Sequence, residues 1–282
     1  MLVAETIGEI RRNVRQARTE GKTMGLVPTM GALHAGHASL VEVARARCDH
    51  VVVSIFVNPT QFGPGEDLEK YPRPLEKDLE LCRAHGVAAV FAPTPAEMYP
   101  REKLTWVTVE KLTTPLCGRS RPGHFRGVTT VCAKLFNIVG PDVAFFGQKD
   151  AQQAVVIRRM VADLNLPLEI VICPTVREPD GLAVSSRNQY LNPQQRRDAA
   201  IIYQSLEKCR TLVEAGARDA DEIRAQMQAT LAQVPALEAE YVEIVDAETL
   251  RPVDPLAGKV LVAIAAHLGA TRLIDNISLD IR

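Results

Sequence analysis

A single tryptophan, Trp106, occurs in 282 residues, and no excess of charge accompanies it: 33 lysines and arginines meet 34 aspartates and glutamates, for a formal net charge of −1. Nothing in that balance points to a nucleic acid. It leaves a local anion site open, because net charge says nothing about clefts. Paired cysteines are also lacking. Cys48, Cys82, Cys117, Cys132, Cys173 and Cys209 form no C-x-x-C motif, and several sit inside apolar runs, as buried thiols do. This usage fits a reducing compartment better than a disulfide framework. No apolar run approaches membrane-spanning length, and the first residues, MLVAETIGEIRRNVRQ, contain no signal-peptide core. The expectation is a cytoplasmic protein with no membrane partner. Internal repeats and low-complexity segments are absent as well, and the length suits one large or two modest domains.

What is present is organised around residues 24–37, MGLVPTMGALHAGH. Leu26 and Val27 run into Pro28 and Thr29, which suit the end of a buried strand and not a helix. Gly31 and Gly36 follow, and residues 39–45 then place apolar side chains at helical spacing. The pattern predicts a strand, a glycine-containing loop and a helix whose first turn holds His34 and His37. The N–H groups and positive dipole end of such a turn suit a phosphate, and glycine permits close approach. Two histidines at this spacing also fit a metal site or a plain surface position.

The flanking chain extends the pattern. Thr6 caps a helix striped by Ile7, Ile10, Val14 and Ala17, which ends at Gly21. Residues 51–57 form a strand buried on both faces, so strand, helix and strand read as a βαβ unit of a parallel sheet. Asn58-Pro59-Thr60-Gln61 lies at that strand's carboxyl end, where ligands sit in open parallel sheets. The amides of Asn58 and Gln61 suit a hydroxyl or carboxylate, while Asn58-Pro59 equally reads as a turn. A helix through Leu75, Leu79 and Cys82 follows, closed by His85 at its C-terminus, and then a strand over residues 87–91. Residues 118–127, with Arg119, Arg121, His124 and Arg126, form the most basic loop, read as an anion site, a subunit contact or a solvated surface. Residues 143–146 predict a second strand running into a glycine turn, Gly147-Gln148-Lys149-Asp150, and a long helix. Lys149 there is a point charge suited to phosphate, and Gln153 lies one turn on. After a strand over residues 168–173 comes a long irregular connection, 174–188, whose Ser185, Ser186 and Arg187 make a phosphate clamp.

From there the character changes. Two amphipathic helices, 193–215 and 220–233, precede three β-rich runs, 240–245, 260–266 and 271–277. The fold class expected is α/β: a Rossmann-like parallel-sheet nucleotide-binding domain, residues 1–175, followed by a smaller α+β domain, residues 176–282. No serine or cysteine has an evident activating base, so covalent catalysis is not signalled. The residues alone reach as far as ATP-dependent transfer.

The combination resembles one family in particular. Pro28-Thr29-Met30-Gly31-Ala32-Leu33-His34-Ala35-Gly36-His37, Phe56-Val57-Asn58-Pro59-Thr60-Gln61-Phe62, Gly147-Gln148-Lys149-Asp150 and Ser185-Ser186-Arg187-Asn188 are similar to the motifs of pantothenate synthetases (pantoate–β-alanine ligases), within the HxGH nucleotidyltransferase superfamily. Tyr71-Pro72-Arg73, residues 123–127 and Asp275-Asn276 match in the same order. The resemblance implies ATP-dependent condensation of (R)-pantoate with β-alanine through a pantoyl adenylate, releasing pyrophosphate and AMP. It implies an ATP site built from Met30, Gly31, Ala32, Leu33, His34, Ala35, Gly36, His37, Gly147, Gln148, Lys149, Asp150, Val176, Val184, Ser185, Ser186 and Arg187. His34, His37 and Lys149 are the implied catalytic residues, with His37 donating a proton to the departing pyrophosphate. Gln61 and Gln153 would bind pantoate, Gln61 also lying near β-alanine, with Asn58 in support. Mg²⁺ would be carried by the ATP phosphates and not by a protein ligand set. A C-terminal lid and a homodimer complete the picture. Val184 departs from the pattern, standing where methionine is expected, but it stays apolar. The competing readings are another nucleotidyltransferase of the superfamily and a nucleotide-binding regulator without turnover.

Overall fold

The computed structural model describes residues 1–281; Arg282, the last residue of the expected second domain, lies outside the described residues. The chain opens with a short strand that the sequence pattern did not reveal, β1 (Leu2–Ala4), followed by α1 (Ile7–Thr19). Thr6 and Glu9 form a reciprocal capping box at the start of α1, and Ile10, Val14 and Ala17 are its buried stripe. Next come β2 (Met24–Thr29), α2 (Ala35–Arg47), β3 (His50–Ile55), α3 (Leu75–Ala84) and β4 (Ala89–Phe91). Two short helices, α4 (Pro95–Met98) and α5 (Cys117–Ser120), lead to α6 (His124–Val139), β5 (Val143–Gly147), α7 (Ala151–Asp163) and β6 (Glu169–Cys173).

These six strands make one parallel sheet in the order β1-β4-β3-β2-β5-β6. Alternate residues of the apolar runs face opposite layers, as a strand period of two requires. Leu26, Val52 and Phe146 pack among α1, α6 and α7, whereas Val27, Val53 and Phe145 pack against α2 and α3. Both faces are covered, which is why these strands read as continuous hydrophobic runs. The chain runs from β2 to β3 on one side and continues later with β5 on the other. The strand order therefore reverses between β2 and β5, and the crevice beyond their carboxyl ends is the place where such sheets take ligands.

The remaining chain forms α8 (Pro193–Asp198), α9 (Ile201–Glu214) and α10 (Ala220–Leu231), then an antiparallel sheet of β7 (Leu237–Asp246), β8 (Gly258–Leu268) and β9 (Thr271–Ile281). The helix expected over 193–215 is two helices, with a break at Ala199 and Ala200. β8 is buried on both faces. Val260, Val262 and Ile264 pack on α9 and α10, while Leu261 and Ala263 join the core of the parallel sheet. The expected architecture, a Rossmann-like parallel sheet followed by a smaller α+β unit, is the one observed.

Candidate active site

The β2–α2 turn explains its own histidines. His34 is the N-cap of α2, and its Nδ1 accepts the N–H of Gly36 at 3.2 Å; the N–H of His34 is accepted by Nδ1 of His37 at 3.3 Å. This is a capping box made with imidazoles at the usual spacing of three. Gly36 leaves the His34 ring room, since a Cβ there would lie 3.0 Å from the ring and push it by a few tenths of an ångström. Both Nδ1 atoms accept, so the remaining proton of each neutral ring sits on Nε2, and the rings lie side by side at 4.1 Å. Burial, then the nearby Lys149 charge, pushes His34 down to about 4. Burial, then His34 and Lys149, pushes His37 down to about 3. The ligand-free cleft thus holds two neutral imidazoles, which offer hydrogen bonds through Nε2–H. The role inferred from resemblance for His37, a donated proton, requires a pKa that this environment does not supply before a phosphate arrives.

Lys149 stands on the turn after β5, directly across the reversal point from this pair. Its neighbour Asp150 is the N-cap residue of α7 but makes no side-chain cap bond. Gln61 projects from the turn after β3. Its Oε1 accepts from Asn58 Nδ2 at 3.1 Å, which orients the amide so that Nε2 lies 3.0 Å from Met30 Sδ. Asn58 is fully occupied. Its Nδ2 also donates to the Gly127 carbonyl at 3.2 Å, and its Oδ1 accepts from Thr60 and from the Tyr99 hydroxyl at 2.9 Å. Asn58 therefore holds Gln61 and has every polar atom engaged within the chain, the arrangement of a residue that supports Gln61. On the opposite wall, Arg187 forms a two-point pair with Asp67, at 3.1 and 3.0 Å.

These groups line one cavity of about 1230 Å³, ample for a nucleotide beside a second small molecule. Met30, His34, Gly36, His37, Asn58 and Gln61 lie on it, as do Gly147, Lys149, Asp150, Gln153, Val176, Val184, Ser185, Ser186 and Arg187. Five expected residues are not part of its lining: Gly31, Ala32, Leu33, Ala35 and Gln148. The first three shape the loop behind the histidines. Leu33 packs on the core, Ala35 is exposed on the first turn of α2, and Gln148 turns away to Asn276 and Ser278 at 3.0 and 3.2 Å.

The basic loop is spent within the chain. Arg119 pairs with Glu243, Arg121 pairs with Glu66, and Arg126 stacks on Trp106 at 4.4 Å. His124 Nδ1 donates to the Gln61 carbonyl at 2.7 Å while Arg121 donates to Nε2, so His124 is neutral; burial, then Arg121, pushes it down to about 4. The loop's work is to hold the Gln61 main chain.

A family model described as pantoate-beta-alanine ligase matches residues 2–278. The chain belongs to the pantoate–β-alanine ligase family. The family's reaction is the ATP-dependent condensation of pantoate with β-alanine to pantothenate. The chain is 57% identical to a pantothenate synthetase of Pelotomaculum thermopropionicum, with 98% of each chain covered. It is 56% identical to one from Moorella thermoacetica, covering all of this chain and 99% of the other. A crystal structure of the Thermus thermophilus pantothenate synthetase superposes with a TM-score of 0.94 at 45% identity, over 98% of this chain and 99% of that one. A Francisella tularensis pantoate-beta-alanine ligase, solved in complex with beta-gamma ATP and beta-alanine, gives a TM-score of 0.80 at 33% identity, over 98% and 97%.

In this ligase two supporting residues, Asp78 and Gln152, carry little local signal in the sequence. Asp78, on α3 and almost fully buried, accepts the N–H groups of Ala32 and Leu33 at 2.9 and 2.7 Å. It anchors a loop in which Gly31 and Ala32 both take positive φ, +80° and +50°. The one available cue was an acid set into the Leu75–Leu79–Cys82 apolar stripe. Gln152, next to Gln153, is the buried member of that pair and ties the segment before α5 to α7 through the Cys117 N–H and the Leu112 and Pro115 carbonyls.

Proposed function

We propose that the condensation runs through pantoyl adenylate in this cleft. A pantoate carboxylate oxygen attacks the α-phosphorus of ATP, the bond from that phosphorus to the bridging oxygen breaks, and pyrophosphate leaves. The β-alanine amine then attacks the acyl carbon, forming the amide, releasing AMP and losing a proton. The first step brings anion to anion, so repulsion must be offset where charge accumulates. His34 and His37 supply Nε2–H donors and Lys149 supplies a charge on one side of the reversal point, with Arg187, Ser185 and Ser186 on the other. The anionic phosphates themselves raise the histidine pKa values on binding. Met30, Val176 and Val184 give an apolar wall to the nucleotide. Gln61 offers its Nε2–H donors to pantoate, with Gln153 beside it, and lies near the β-alanine position.

Mg²⁺ belongs on the phosphates in this reading. Among the described residues no three His, Cys, Asp or Glu side chains come together as a ligand set, and Glu66, Asp67, Glu240 and Asp275 on the cavity wall are held by arginines. The ion's chemistry is to neutralise phosphate charge. We place the division of the chain at residues 175 and 176, with the second unit closing as a lid. A homodimer is supported by family membership. A cytoplasmic location is supported by six free, buried cysteines; among the described residues no helix is long and apolar enough to cross a membrane.

The observation that carries the reading is the convergence of the paired imidazoles, Lys149 and the Gln61 amide on one crevice. The test is exchange of labelled pyrophosphate into ATP without β-alanine. Exchange should require pantoate; exchange without it, or none with it, would overturn the adenylate route.

A further inference from the structure

Asp275 and Asn276 have no part in the chemistry above, yet both are nearly fully buried side chains in the last strand of the molecule. Asp275 Oδ1 accepts the Asn276 N–H at 2.7 Å within the strand, and the other hydrogen bonds of the two side chains run to the cleft segments. Asn276 Nδ2 donates to the carbonyl of Gln148 at 3.0 Å and to the carbonyl of Lys149 at 2.8 Å. Its Oδ1 accepts from Gln148 Nε2 at 3.0 Å. Both donors of the amide are thus committed to the turn that carries Lys149, from 127 and 128 residues away in the chain. Asp275 forms a two-point pair with Arg177, at 2.6 and 3.0 Å, and Arg177 also donates to the carbonyls of Gly181 and Asn276. Arg177 opens the hairpin whose other arm, paired at Ala183, leads to Ser185 and Arg187. One dipeptide of β9 therefore grips the segments on both sides of the nucleotide crevice.

We infer that Asn276 is a positioning residue for Lys149, fixing the main chain from which the lysine reaches the phosphates. The inference rests on the phosphate role proposed for Lys149. Asn276 leaves the Lys149 side chain untouched and grips its backbone, so losing the amide displaces the charge without deleting it. A misplacement of an ångström is costly in the step that needs the charge. That step is adenylation, where a carboxylate must approach the anionic triphosphate and pyrophosphate must depart. Aminolysis of the acyl adenylate makes no such demand, because the β- and γ-phosphates have already left.

The experiment separates the two half-reactions in the full-length enzyme. Asn276→Ala should slow pantoate-dependent pyrophosphate–ATP exchange by about 10- to 100-fold, in kcat more than in the KM for pantoate. Aminolysis of supplied pantoyl adenylate by β-alanine should stay within about two-fold of wild type, on the argument that misplacement matters only where the group acts. Asn276→Ser, which keeps one donor and little else, should fall between, and it carries the test if the alanine variant does not fold. Exchange at the wild-type rate in either variant overturns the inference, as does an equal loss in both half-reactions, which is the signature of general damage to the cleft. Failure of the underlying reading looks different: wild type would then show no pantoate-dependent exchange, or Lys149→Ala would exchange normally.

Discussion

His34 and His37 close the same end of α2: His34 Nδ1 accepts the Gly36 N–H at 3.2 Å, His37 Nδ1 accepts the His34 N–H at 3.3 Å, and each ring is left to present Nε2. Capping and chemistry are therefore done by different atoms of one ring. His37→Asn should replace the capping acceptor but not the outward donor. It should keep the wild-type melting temperature to within a few degrees and lose about 100- to 1000-fold in kcat, the usual effect of removing one donor to developing charge. His37→Ala should lose both. A His37→Asn enzyme with near-normal turnover would remove this imidazole from the site.

The three neutral histidines also predict how stability responds to acid. His34, His37 and His124 are pushed down to about 4, about 3 and about 4, all below the ordinary value of 6.5. Above pH 6.5 folded and unfolded chains are equally neutral at these sites, and nothing is gained or lost. As pH falls below 6.5 the unfolded chain takes up protons that the folded chain refuses, so stability declines. Each histidine contributes at most about 1.4 kcal/mol per pH unit. Urea unfolding between pH 6.5 and 5 reads the effect together with that of His50, which burial also lowers, because ordinary carboxylates remain ionised there. Stability that is flat or rises on acidification in that window would contradict the assignment.

Gly127 is needed for close approach: a Cβ on it would lie 2.3 Å from the Thr60 carbonyl oxygen and 2.7 Å from Gln61 Cα. Both obstacles are backbone, so neither yields cheaply. Gly127→Ala should destabilise by about 1–3 kcal/mol and displace the Gln61 turn. The KM for pantoate should rise several-fold while ATP binding, measured alone, stays normal. An unchanged KM for pantoate would mean that Gln61 does not bind this substrate.

Asp78→Ala leaves the N–H groups of Ala32 and Leu33 without their acceptor and should cost about 1–3 kcal/mol for each. The loop behind the histidines would relax from its left-handed turn, and the KM for ATP should increase. Wild-type stability and ATP affinity together would sink the account of that loop.

Much of the site was readable because its local chemistry is concentrated. Pro28, Gly31, Gly36 and the histidines announce a strand, a turn and a helix within a dozen residues, and Gly147 to Asp150 repeat the pattern. The strands were readable for the same reason, through runs buried on both faces. What escaped depends on contacts across long stretches of chain. Asn276 meets Lys149 only in the folded molecule, and the basic loop reads as free charge until Glu66, Glu243 and Trp106 are seen against it. Gln152 and Gln153 are adjacent and identical and both border the cavity, and only the phase of α7 decides that Gln152 is the buried one. β1 is three residues long, too short for any periodicity to register. The break between α8 and α9 falls at two alanines, which are good helix formers and carry no stop signal.

The most direct test of the account follows the oxygen. Pantoate labelled with ¹⁸O in its carboxylate should be turned over with ATP and β-alanine, and the products examined by mass spectrometry. If the carboxylate attacks the α-phosphorus, one labelled oxygen is left on AMP when the amide forms. The account predicts label in AMP and none in pyrophosphate. Label in inorganic phosphate with ADP as the product, or unlabelled AMP, would contradict it.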